Sequence, residues 1–202
     1  MLSETTTAPD RAIAPNAPTA GIMPSFAFAL LAFSALYAVL IAPLLVSGNS
    51  PAIAATAVLA AALITLSAWD ATTLRLPDAI TLPLIVLGIA IAPPDAMAWR
   101  ALSAFAAGCI LFAIAVAYKR IRHRDGLGLG DVKLVAAAGA WIGLENLSGV
   151  LLIACASAIL TLGALTLLNR QIKLTDSVAF GPFLALGLWM VWLYDPIAAL
   201  AM

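Results

Sequence analysis

The sequence predicts an all-α protein, a polytopic bundle of transmembrane helices. Three observations carry that reading. First, 64% of the 202 residues are hydrophobic and only 10% are charged, where a soluble domain carries about a quarter charged residues. Second, the mean hydropathy is +1.08, too high for a core of this size to hide. Third, the apolar residues fall into long runs parted by short polar stretches; most runs are near the roughly 20 residues that a membrane helix needs, and the third and fifth are short for a full span. The formal net charge of zero gives no electrostatic footprint for a nucleic-acid partner, so the lipid bilayer is the surrounding that the composition fits.

Residues 1–23 are rich in Thr, Ala and Pro without an apolar period, which predicts a flexible tail. Residues 24–46 form the first apolar run. Ser47-Gly48-Asn49-Ser50-Pro51 reads as a turn, and residues 52–69 form the second run, ending at Trp69-Asp70. After the polar stretch 70–78 comes a short third run, 79–92, with Pro83 inside and Pro93-Pro94 closing it. Residues 98–118 make the fourth. A basic, glycine-rich loop occupies 119–130. Residues 131–144 and 147–168 give the fifth and sixth runs, a polar stretch covers 169–177, and 178–200 gives the seventh. Residues 52–200 read as one membrane domain, with 24–46 as a helix ahead of it.

Seven alternating spans place the tail and the loops at 70–78, 119–133 and 169–177 on one side. That side receives Arg11, Arg75, Lys119, Arg120, Arg122, Arg124, Lys133, Arg170 and Lys173, which leaves only Arg100 for the other. Lys and Arg collect in cytoplasmic loops, so the N-terminus is expected in the cytoplasm. Alternation also brings Asp70, Asp78 and Asp131 to that face, whereas Asp95, Glu145 and Asp195 fall opposite.

An ionisable group at the edge of a membrane segment is costly and by default marks a functional site. Asp131 follows Gly126-Leu127-Gly128-Leu129-Gly130, where a new apolar helix begins. As a helix-start acid it would satisfy free backbone amides and the helix dipole. Asp70 would end its helix and pair with Arg75, and Asp78, just after Pro77, stands at a good cap position. The sharper reading is a carboxylate pair of Asp70 and Asp131. Two carboxyl groups held close together share a proton, so one takes a proton from water while the other protonates a leaving group. Such a pair hydrolyses a peptide bond without a metal or a cofactor, and none is expected here. No HExxH, GxSxG or GxxxxGK[ST] motif offers another chemistry. The lone histidine, His123, reads as a solvated side chain in the basic loop. Cys109 and Cys155, each inside an apolar run, read as small buried hydrophobes.

These residues resemble a known family. Gly128-Leu129-Gly130-Asp131-Val132-Lys133-Leu134, followed by Gly139-Ala140-Trp141-Ile142-Gly143, is similar to the GxGD segment of type IV prepilin peptidases. Asp70, seven residues before Pro77, with Ile80-Thr81-Leu82-Pro83-Leu84, resembles that family's other signature segment. Phe180-Gly181-Pro182-Phe183-Leu184-Ala185-Leu186-Gly187 resembles its last membrane segment. The resemblance implies a six-helix peptidase core, here with one extra N-terminal helix, in the bacterial inner membrane. It implies an aspartyl endopeptidase with Asp70 and Asp131 as the catalytic pair and Gly128, Gly130, Lys133 and Pro77 as substrate-binding or site-shaping residues. The implied substrates are prepilins or pseudopilins, whose basic leaders are removed after a glycine at the cytoplasmic face. The paired CxxC motifs of larger, methylating members are missing, so methyl transfer is expected to be absent. Other readings are a more general GxGD intramembrane protease, a proton-coupled membrane transporter and a non-catalytic subunit of a pilus machine.

Overall fold

The computed structural model describes residues 26–47, 53–122, 128–167 and 179–194. These form seven helices, α1 (Phe26–Ser47), α2 (Ile53–Thr73), α3 (Asp78–Ile91), α4 (Met97–Arg122), α5 (Leu129–Ile142), α6 (Leu147–Leu167) and α7 (Gly181–Tyr194), with no strand among the described residues. Each apolar run is thus a helix, as the composition predicts. The tail at 1–23, the middle of the basic loop from His123 to Leu127, the polar stretch at 169–177 and the end of the seventh run lie outside the described residues.

Three helices, Ile53–Thr73, Met97–Ile121 and Leu147–Ala164, are long and apolar enough to cross a membrane. The chain is a helical membrane protein. Its outward surfaces are apolar: Phe105, Ile110 and Ile114 on α4 and Leu152, Ile159 and Leu160 on α6 are all exposed. Lipid tails are as apolar as these side chains, so exposure costs them little. The same argument corrects the reading of the cysteines. Cys109 and Cys155 are exposed rather than buried, because small apolar side chains in a bundle can equally well face lipid.

The shorter helix α5 forms the centre. Leu134, Val135, Ala137, Ala138, Gly139, Ala140, Trp141 and Ile142 are all buried, the pattern of a helix enclosed on every side. It packs against α3, α4, α6 and α7. Small residues let the backbones approach, as is usual between membrane helices. A Cβ on Gly139 would lie 2.6 Å from the carbonyl oxygen of Ser103. Trp141 reaches across to α3, where its Nε1 donates to the carbonyl of Leu84 at 2.8 Å, over the gap left by Gly88. On the other side, α2 buries Leu59, Leu63 and Leu66 beside Leu184 and Leu188 of α7. Trp192 Nε1 donates to Thr56 Oγ1 at 3.1 Å to fix these two helices lengthwise. The first helix, α1, joins this layer through Tyr37, whose ring stacks on Trp189 at 5.0 Å.

Two turns shape the end of the bundle that carries the acids. α2 continues past its apolar run for another turn, and the amide of Leu74 bonds back to the carbonyl of Asp70 at 2.8 Å. Leu74 then turns the chain with φ 55°. Pro77, extended at φ −72° and ψ 127°, caps α3. Gly128, similarly extended, caps α5.

Candidate active site

Asp70 lies in the last turn of α2, one turn further inside the helix than its place at the end of an apolar run predicts. Its oxygen Oδ2 accepts a hydrogen bond from the amide of Gly181 at 3.0 Å. The first amides of a helix have no partner within it, so the carboxyl of Asp70 completes the start of α7. A pairing with Arg75 is not its bond: Arg75 is exposed, and Asp70 is only 4% exposed.

Asp131 sits in the first turn of α5, three residues after the capping Gly128, and is 8% exposed. Asp131 and Asp70 are the only acids among the described residues that are buried; Asp78, Asp95 and Glu145 are exposed. The two carboxyl groups lie within electrostatic reach of one another. Burying two like charges is expensive, and sharing a proton lowers that cost.

The surrounding residues follow from close packing. Gly130 meets the segment between α2 and α3: a Cβ there would stand 2.9 Å from Cδ1 and 3.0 Å from Cβ of Leu76. This contact presses the Leu76-Pro77 connection onto the start of α5. Gly128 is exposed, and a Cβ on it would lie 3.4 Å from Oδ2 of Asp131. Lys133 Nζ bonds Asp78 Oδ1 at 2.6 Å, which ties α5 to α3. This corrects the capping role of Asp78. Pro77 occupies the cap with no side-chain cap bond, and Asp78, one residue further on, answers Lys133 instead.

Asp70, Pro77, Gly128, Gly130, Asp131 and Lys133 thus gather at one end of the bundle. Sequence reasoning missed Gly181 as a member. Its signal was a glycine before Pro182 at the start of an apolar run, which marks a helix start but not the acid 111 positions away that the helix meets.

Comparisons with known proteins point to one family. A prepilin leader peptidase/N-methyltransferase of Burkholderia pseudomallei is 37% identical over 143 residues, covering 69% of this chain and 46% of the relative. The Escherichia coli (strain K12) protein of the same name is 40% identical over 131 residues, 61% of this chain and 56% of its own length. That of Aeromonas hydrophila is 33% identical over 140 residues, 65% and 46% respectively. The chain spans about half the length of the curated relatives it matches. No solved structure matches it significantly. The model of the type IV leader peptidase family matches residues 57–164. That match takes in more than half of the 202 residues and runs through both buried acids, so the chain belongs to the type IV leader peptidase family.

Proposed function

We propose that the chain is an aspartyl endopeptidase of the bacterial inner membrane that removes the basic leader from prepilins or pseudopilins, cutting after a glycine at the cytoplasmic face. One observation carries this: two buried acids from different helices, Asp70 and Asp131, stand at one end of the bundle within electrostatic reach. Of the two activities in the relatives' names, the peptidase is the one that a carboxyl pair serves. One carboxylate takes a proton from a water molecule, which attacks the scissile carbonyl carbon. The other acid gives a proton to the departing amine, and the peptide C–N bond breaks.

In this reading the N-terminus is cytoplasmic, since the Lys and Arg residues collect on the side of the acids. Residues 24–46 add a helix ahead of the peptidase domain at 52–200, which rests the site on α2, α3, α5 and α7. Gly128, exposed beside Asp131, lets the substrate backbone approach closely. Gly130, Pro77 and the Lys133–Asp78 bond hold α3 and α5 in register beneath it.

The test is co-expression with a prepilin, followed by gel mobility and the mass of the mature pilin. Wild type shortens the pilin by its leader. Asp70→Asn and Asp131→Asn should each leave it full length while the membrane content of the protein stays unchanged. Normal processing by both variants would overturn the assignment.

A further inference from the structure

α7 starts against an acid. The amide of its first residue, Gly181, donates to Oδ2 of Asp70 at 3.0 Å. A Cβ at that position would stand 2.6 Å from the same oxygen, 3.0 Å from Cγ and 3.2 Å from Cβ of Asp70. The space in which a side chain would lie is therefore the space the carboxyl group fills. A carboxylate that accepts a helix's first amide is held in one rotamer and lies in the favourable end of the helix field.

The start of α7 is itself fixed. Trp192 near its far end bonds Thr56 of α2. Midway, Gly187 runs so close to the carbonyl of Val150 on α6 that no side chain fits between them. Phe180 and Phe183 pack on each other across the first turn, with ring centroids 6.4 Å apart. α7 therefore cannot slide along α2 without breaking several contacts, and its first amide reaches Asp70 in one register.

We propose that Gly181 is a positioning residue for the reaction: its amide holds the carboxyl of Asp70 beside Asp131, and its missing side chain leaves the carboxyl its place. This rests on the reading of Asp70 and Asp131 as the catalytic pair. It makes the seating of α7 part of the catalytic machinery, although α7 contributes no reacting group. Glycine is needed here for the room beside the acid.

The test uses the full chain in detergent micelles with a purified prepilin, and compares wild type, Gly181→Ala and the neighbouring Pro182→Ala. Misplacing a reacting group by about 1 Å costs on the order of 100-fold, so Gly181→Ala should lower kcat by about that factor with KM unchanged. Pro182→Ala, which leaves the glycine in place, should keep both. A second readout needs no substrate. Labelling of Asp70 by dicyclohexylcarbodiimide, followed by mass spectrometry, should rise several-fold in Gly181→Ala, because the displaced oxygen has lost its amide. If Gly181→Ala does not accumulate, an ester linkage at position 181, which removes the N–H and adds no atom, carries the same two expectations. Unchanged kcat with unchanged labelling would overturn the proposal, as would a raised KM at unchanged kcat. Should the wild type cleave no prepilin while the labelling still rises, the hold of Gly181 on Asp70 stands and the peptidase reading falls.

Discussion

Lys133 Nζ lies 2.6 Å from Asp78 Oδ1, joining the second turn of α5 to the first residue of α3 across 55 positions. The side chains are 35% and 58% exposed, so water screens the pair, and exposed ion pairs contribute about 0–1 kcal/mol. Lys133→Ala and Asp78→Ala should each cost less than about 1 kcal/mol, and the double variant no more than the larger single one. Unfolding in mixed micelles with increasing dodecyl sulfate measures this. A much larger loss in either single variant would mean that the pair is better shielded than its exposure indicates.

Gly130→Ala sets a new methyl against Leu76. Two of the three nearest atoms, Cβ and the backbone nitrogen of Leu76, cannot swing away, so the connection before α3 must move. Overpacking of this kind costs about 1–3 kcal/mol. The expected result is a lower melting temperature and slower leader removal. Adding Leu76→Ala should restore part of both by clearing Cδ1. A fully neutral Gly130→Ala would show that the two segments yield more easily than their packing suggests.

Trp141 fixes α3 to α5. It is 3% exposed, donates to Leu84 at 2.8 Å and meets the edge of Trp192 with centroids 5.4 Å apart. Trp141→Phe keeps a ring and loses the donor, which should cost about 1 kcal/mol. Trp141→Ala opens a cavity between the helices, and about 3–5 kcal/mol is expected. The ordering of the two midpoints in detergent unfolding is the check.

Leu74 holds φ 55° after the last turn of α2, a left-handed conformation that costs a residue with a Cβ about 1–2 kcal/mol. Its side chain is 40% exposed, so little packing offsets the strain. Leu74→Gly should raise stability by about 0.5–1 kcal/mol, read as a higher unfolding midpoint, with leader removal unchanged. Leu74→Pro, which cannot take a positive φ, should lower both.

Hydrophobic runs made the helices legible, because a membrane helix has to be apolar along its length. The ends were less so. α2 runs through Thr73 because Thr72 and Thr73 bond their hydroxyls back to helix carbonyls, so polar side chains that look like loop residues extend a helix. The fate of Cys109 and Cys155 was not legible, since apolar character in a bilayer does not separate a core face from a lipid face. The nearness of Asp70 to Asp131 was suggested by counting alternate spans. The contact of Asp70 with Gly181 was not, because it depends on the register between α2 and α7, which is set by Thr56, Trp192 and the close approach of Gly187 to Val150. No local pattern encodes that register.

α3 and α5 have 14 residues each and α4 has 26. At 1.5 Å per residue the short pair measures about 21 Å and the long one about 39 Å, against a hydrocarbon layer of ~30 Å. α5 is enclosed by its neighbours, so its shortness is taken up within the protein, whereas α3 exposes Leu82, Val86 and Leu87, and the bilayer beside it has to thin or let hydration follow the helix end down. A dimple of this kind beside α3 would carry water down to the end of the bundle that holds Asp70 and Asp131, and it would let a bond only a few residues from a lipid-embedded helix come near them.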